Sequence, residues 1–382
     1  MSNRNLGILA VVAAVMVVWA VLQSRFSHPS RIVSSVPVDL IQGLDTSVID
    51  SIVIGHGDDA VSLAKRNDRF VVVNKENYPA DPKLINGLIA KCLDVKRTRL
   101  YTSSARNHED LEVTDDTAQG LVRFFRGDGT LLTGIVVGKS PDTGVGAFVR
   151  LADSNDVYVS ESVPYFATSP LDYINTELVS VPVDDVNLAT VSTPDGAYTL
   201  RPGENGSGAV MVDMPADKIL KTDDARSVLE ALSTLRFADV NTPEALGDLD
   251  FDHAYVCLLN NSIQYTLSLA EKDGKHYVRA GATFTDMTPV TITQGVKESD
   301  EQLKPKEAKL RDHANAQTFD LRHRGWIYEI SSSDAEELTK SQADLLEDRV
   351  AAIPDELLNN LVVLPGQTDR PEEPNQSVDP NS

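Results

Sequence analysis

The run from Leu6 to Leu22, LGILAVVAAVMVVWAVL, is seventeen residues without a charge, and it constrains the chain more than any other feature. As a helix rising about 1.5 Å per residue it covers roughly 25 Å, a little less than the hydrocarbon core of a bilayer. Arg4 precedes it and Arg25 follows it. The pattern predicts an uncleaved transmembrane anchor, against a cleaved signal peptide or a buried soluble helix. The run is longer than a usual signal core, and Gln23-Ser24-Arg25 offers no small-x-small cleavage site. A first apolar segment ahead of a large domain acts as a signal anchor. The expected placement is single-pass in the cytoplasmic (inner) membrane, N-terminus inside, with the C-terminal bulk periplasmic or otherwise extracytoplasmic. The lipid bilayer is then a partner through Leu6 to Leu22.

Beyond the anchor the chain is acidic. Thirty-five Lys and Arg stand against 57 Asp and Glu, a net charge of −22 over 382 residues. Nucleic acid needs a clustered cationic face, so this balance argues against it as a partner. Two cysteines exclude a disulfide scaffold and a thiolate zinc cluster. The length suits two or three domains.

Short strand candidates separated by turn chemistry begin at Ser51-Ile52-Val53-Ile54, Val61-Ser62-Leu63 and Phe70-Val71-Val72-Val73. Asp81-Pro82 then supplies a cap and a first helical residue. Ile85, Leu88, Ile89 and Cys92 follow at helical spacing. A polar stretch through His108 and Glu112 leads to strands at 121–125 and 131–137, joined by the hairpin signal Gly127-Asp128-Gly129, and to strands at 147–151 and 157–159.

The same order returns downstream. Met214-Pro215-Ala216-Asp217 echoes Tyr78-Pro79-Ala80-Asp81, and Tyr277-Val278-Arg279 echoes Phe148-Val149-Arg150. Ile327-Tyr328 echoes Val157-Tyr158, and Ser341–Pro354 aligns without a gap on Ser169–Pro182. Four matches in one order predict an internal duplication. A second helix is expected through Val228, Leu229, Leu232 and Leu235, with Thr222 as its cap. The fold class expected is α+β: one N-terminal transmembrane helix, then two repeated, mainly antiparallel β modules, each with a packed helix. The segments are a cytoplasmic tip at 1–5, the transmembrane helix at 6–22, a linker at 23–45, modules at 46–182 and 183–364, and a Pro-rich disordered tail at 365–382. An insertion near 281–325 carries mixed charge without a clear apolar stripe. It reads as a solvated loop or exposed helix, or as a partner-docking excursion.

The strand-turn-strand before Phe70, the Pro-Ala-Asp helix entry at 79–81, Gly138-Lys139 and Val149-Arg150 ahead of Val157-Tyr158 together resemble a bacterial family of unknown function. The resemblance covers about residues 46–350. It implies an extracytoplasmic domain, often duplicated, found beside auxiliary components of gliding-motility-type ABC transporters. Two positions depart from the pattern: Ala270-Glu271-Lys272 replaces the Gly-Lys turn in the second half, and Phe70 stands where the family commonly has Trp. The resemblance carries no catalytic residues.

The residues themselves assign no catalytic, cofactor-binding or metal site. Gly134 to Ser140 has one residue too few for a phosphate loop and runs into the turn residues Pro141-Asp142-Thr143-Gly144, so no nucleotide is expected. The seven histidines show no metal-ligand spacing, and His313 and His323 are expected in solvent. Cys92 and Cys257 read as buried free thiols. Asp115-Asp116, Asp184-Asp185 and Asp223-Asp224 read as turn and helix-start residues, and Tyr158 and Tyr328 as packing residues.

The function expected is a membrane-anchored extracytoplasmic accessory or assembly subunit that binds protein noncovalently and is not an enzyme. Its partner on the family resemblance is a membrane protein complex with an ABC-type permease, and no cofactor is expected. The alternatives are an extracytoplasmic enzyme acting on cell-envelope polymers, which needs a cleft with converging carboxylates or His, and a passive structural spacer.

Overall fold

The computed structural model describes residues 37–142, 144–203, 208–291 and 299–349. The chain divides into two units between Thr176 and Glu177, six residues before the boundary expected from the sequence. In the first unit the strands are β1 (Val38–Asp39), β2 (Ser51–Ile54), β3 (Val61–Arg66), β4 (Arg69–Val72), β5 (Tyr78–Pro79), β6 (Lys96–Arg97), β7 (Arg99–Thr102), β8 (Gly120–Phe125), β9 (Leu131–Val137), β10 (Ala147–Leu151) and β11 (Val157–Ser160). One α-helix, α1 (Pro82–Leu93), follows β5. The strands form a nine-stranded antiparallel sheet in the order β5-β4-β3-β2-β8-β9-β10-β11-β7, with β1 and β6 paired separately.

The second unit holds β12 (Glu177–Val179), β13 (Val186–Thr193), β14 (Gly196–Pro202), β15 (Ala209–Met211), β16 (Lys218–Leu220), β17 (Leu235–Asn241), β18 (His253–Leu259), β19 (Ile263–Lys272), β20 (Lys275–Phe284), β21 (Ile327–Ile330) and β22 (Leu346–Asp348). Its helices are α2 (Thr222–Glu230), α3 (Pro243–Leu246), α4 (Asp300–His323), α5 (Ser332–Thr339) and α6 (Gln342–Leu345). The second nine-stranded sheet reads β12-β17-β21-β20-β19-β18-β13-β14-β15.

This architecture corrects the α+β expectation. The described chain is mostly β-sheet, organised as two large sheets, and repeated helix-packed modules are not what it forms. Among the described residues the first unit has one α-helix and the second has five of four to 24 residues, so the helices do not recur as a common layer. Two sheets of this width already bury most of the apolar side chains, which leaves helices a local role. No helix among the described residues is long and apolar enough to cross a membrane. The predicted transmembrane segment Leu6–Leu22 and the tail 365–382 lie outside the described residues, as does part of the 281–325 insertion. The linker expected at 23–45 is, at its end, part of the fold: β1 pairs with β6 and Leu40 donates its amide to the Val95 carbonyl at 2.8 Å.

The sheets do share a strand order. From β4 to β7 the first reads 4-3-2-8-9-10-11-7, and the second reads 15-14-13-18-19-20-21-17. In each, an N-terminal meander is zipped to a later one by one central ladder, β2 on β8 and β13 on β18. Local chemistry sets the turns. Asn67 and Asp68 both take positive φ between β3 and β4, and Asp273 and Gly274 do the same between β19 and β20, which matches strand twist in a two-residue hairpin.

Asp81 caps α1, its carboxylate accepting from the Lys83 amide at 2.7 Å, and Pro82 opens the helix. Ile85, Leu88 and Cys92 are buried, and the helix packs against β4. At α2 the cap differs from expectation: Thr222 lies inside the helix and Lys221 holds the cap position without a side-chain bond. Tyr255 of β18 fixes α2 to the sheet by donating its hydroxyl to the Val228 carbonyl at 2.7 Å.

The insertion contains α4, which starts at a Ser299/Gln302 capping box and packs on β19 and β20 through Ala316, Phe319 and His323. His323 is 3% exposed, which overturns its expected place in solvent. Its Nδ1 lies 2.7 Å from the Tyr328 hydroxyl and its ring 4.3 Å from that of Phe319. Burial, with Arg322 beside it, lowers the imidazole from 6.5 to about 4. The unfolded chain takes up that proton near pH 6.5 while the folded chain resists it, so the native state loses stability as pH falls from 6.5 to 4. The loss should reach about 3 kcal/mol. His323→Gln, which keeps a partner for Tyr328, should flatten the urea-midpoint profile between pH 6.5 and 4.

Candidate functional site

The first sheet ends at β5 on one side and at β7 on the other. Lys96 and Arg97, just before β7, pair with Val38 and Asp39. Beyond them β7 pairs only with β11 among the described strands. Leu100 and Tyr101 are each 50% exposed there. One tyrosine ring face is anchored: the Tyr101 and Phe148 centroids lie 4.6 Å apart. A bulge at Val157/Tyr158 twists the β11 side of this edge. The edge is also cationic. Lys96 is paired with Asp39. Arg97 donates to the Tyr158 hydroxyl at 2.9 Å with its guanidinium 4.9 Å above that ring. Arg99 is exposed.

Behind this edge the connection from β7 to β8 crosses one face of the sheet. Leu111, Val113 and Ala118 from the connection meet Leu121, Val136, Phe148 and Val157 from the strands in a closed apolar cluster. Arg150 lies beneath it, 7% exposed. Its Nε donates to the Val113 carbonyl at 2.6 Å, and Nη1 donates to those of Leu151 and Ala152 at 3.0 and 3.1 Å. Nη2 lies 3.6 Å from Asp115, which also pairs with Arg123. Burial pulls the Arg150 guanidinium below its usual value and the Asp115 charge opposes that. In the second unit the matching Arg279 is exposed and lies 3.9 Å above the Phe251 ring.

Two open cavities accompany the sheets. One, about 370 Å³, is bounded by Gln119, Glu161, Phe166 and the 80% exposed Tyr165. The other, about 390 Å³, lies in the second unit among Asp184, Asn187, Arg201, Arg226, Glu230 and Asn260. There Arg226 and Glu230 are already joined at 2.7 Å.

The residues weighed from sequence fall as follows. Gly134 sits inside β9, where a Cβ would lie 2.6 Å from the Val122 carbonyl, and at Gly138 a Cβ would lie 2.2 Å from that of Leu111. Close backbone approach is what these glycines serve. Among the described residues no group of three or more His, Cys, Asp or Glu could hold a metal ion. His108 is buried with Nε2 3.1 Å from the Asn155 carbonyl, and His253 lies 2.6 Å from Asp252. His313 packs edge-on against Phe284. Cys92 and Cys257 are buried free thiols, each raised to about 12 by burial. Asp223 and Asp224 lie in the first turn of α2, and Asp224 binds Lys340 at 2.8 Å. Tyr328 is core, whereas Tyr158 is half-buried beside Arg97.

Sequence reasoning missed β7 and the burial of Arg150. Leu100 and Tyr101 are adjacent, so no apolar alternation marked the strand. Only the contrast between Arg150 in an apolar run and the Asp115 pair to its N-terminal side carried a signal.

A family model described as a domain of unknown function (DUF4340) matches residues 71–253. The chain is thus similar to a domain-of-unknown-function family over β4 to the start of β18, a span that crosses the boundary between the units. Neither the curated proteins nor the solved structures contain a match to this chain.

Arg150→Met leaves the buried Val113 carbonyl and the half-buried Leu151 and Ala152 carbonyls without their donor and should destabilise the first unit by about 2–4 kcal/mol. Arg279→Met removes an exposed cation–π contact and should change stability by less than about 1 kcal/mol. Chemical denaturation of the two variants side by side checks the contrast.

Proposed function

We propose that the chain is a membrane-anchored extracytoplasmic accessory or assembly subunit that binds protein noncovalently, its partner an ABC-type permease complex of the gliding-motility kind. The observation that carries this reading is the β7 edge, with Leu100 and Tyr101 half in water on a strand whose outer side has no partner strand among the described residues. An exposed edge of this kind accepts an extended segment as an added strand, its main chain supplying affinity and alternate side chains specificity. Arg97 and Arg99 suit an acidic segment of the partner and repel a second copy of the same edge. The transporter association rests on the family resemblance, and the domain match at 71–253 supports its coarser part.

Anchoring by Leu6–Leu22 with the N-terminus inside puts both units outside the cytoplasmic membrane. Protease added to intact spheroplasts should then digest residues 37–349; full protection there, with digestion after lysis, reverses the placement.

The docking edge is tested by crosslinking in intact membranes. The unaltered chain should capture the permease complex. Leu100→Lys with Tyr101→Lys should weaken capture by roughly thirtyfold, a loss of about 2 kcal/mol typical of removing interface anchors. Tyr101→Lys also gives up the ring contact with Phe148, about 1 kcal/mol, so the melting temperature should fall by only a few degrees. Undiminished capture by the double variant rejects this edge.

A further inference from the structure

The outward face of α4 carries a second, separate surface. Ala316, Phe319 and His323 turn inward onto the sheet, and Lys309 is held on the inward side by Asp286 at 2.6 Å. The opposite side presents Leu303, Glu307, Leu310, Ala314, Gln317 and Leu321, spaced alternately by four and three residues. That is the spacing of a two-helix coiled-coil seam, with Leu303 half-buried at its start. Leu310 and Leu321 are 54% and 61% exposed, although a soluble surface helix normally turns such residues to the core.

We infer that α4 pairs with α4 of a second copy of this chain, antiparallel about a two-fold axis beside Asn315. In that register Leu310 meets Leu321 of the second copy, and Ala314 meets its Gln317. Glu307 meets its Arg324, the residue that ends the helix, and His313 flanks its Asp320. A two-fold interface repeats each pairing in both directions, so a single stripe supplies both partners. The charges select the direction. Parallel pairing would stack Glu307 on Glu307, whereas the antiparallel arrangement sets Glu307 beside the exposed Arg324 guanidinium, which Asp320 of its own helix also holds. Two leucines per copy make a small patch, so the contact is weak and reversible and grows with local concentration. It uses no residue of the β7 edge and stands or falls independently of the docking reading.

The test is crosslinking of the purified full-length chain at high concentration with a bismaleimide shorter than the gap between two Leu310 positions, which the register sets at roughly 16 Å. Cys92 and Cys257 are buried, so the unaltered chain should remain uncrosslinked. Asn315→Cys, on an exposed position beside the axis, should form covalent dimers. Leu310→Cys alone should not, but mixed with Leu321→Cys it should give the heterodimer. Adding Leu310→Glu and Leu321→Glu to Asn315→Cys should abolish its dimers. Dimers from Leu310→Cys alone in place of Asn315→Cys indicate parallel pairing and overturn the inference. Absence of dimers from every variant, or dimers of Asn315→Cys that survive both glutamates, overturns it as well.

Discussion

Each unit depends on one ladder between segments distant in sequence. Ile52 opposite Phe124 and Ile54 opposite Val122 join β2 to β8, while Ala189 opposite Cys257 and Val191 opposite Tyr255 join β13 to β18. Either side of these ladders is a meander held by local hairpins, and neither meander alone has enough apolar partners to bury its inner face. Closing the ladder creates the two faces on which everything else is placed. One receives the helices. In the first unit the other receives the β7–β8 connection.

That second face explains why matching positions acquire unlike chemistry. Arg150 and Arg279 occupy corresponding strands, β10 and β20, and differ in what crosses above them. A connection bearing Leu111, Val113 and Ala118 seals Arg150 into carbonyl contacts and an ion pair. Over Arg279 lies the Phe251 ring, and the residue stays exposed. The same logic applies to Tyr158 and Tyr328. Helix α4 supplies His323 and Phe319 to bury Tyr328, whereas Tyr158 lies near an open edge with Arg97 as its neighbour.

The interaction surfaces arise where this covering stops. At β7 the sheet ends with apolar side chains still in water, next to positive charge in a chain whose net charge is −22. On α4 the inner half is consumed by the sheet and the outer half remains. Neither surface depends on a cavity, and in the cleft of the second unit Arg226 and Glu230 already bind each other.

Local chemistry was legible in the residues. The Asp81 cap, the α1 stripe of Ile85, Leu88 and Cys92, the hairpin signal at Asp128-Gly129 and the buried thiols each depend on neighbours within a few positions. Tertiary structure decided the rest, because it depends on partners far along the chain. The width of the sheets made this a mostly β protein, since strands count toward a sheet only once paired. His323 looked solvated in a run of charges until the helix bearing it lay on β20. Spacing alone can show a stripe on α4, but which stripe faces water was settled by the sheet that claimed the other one.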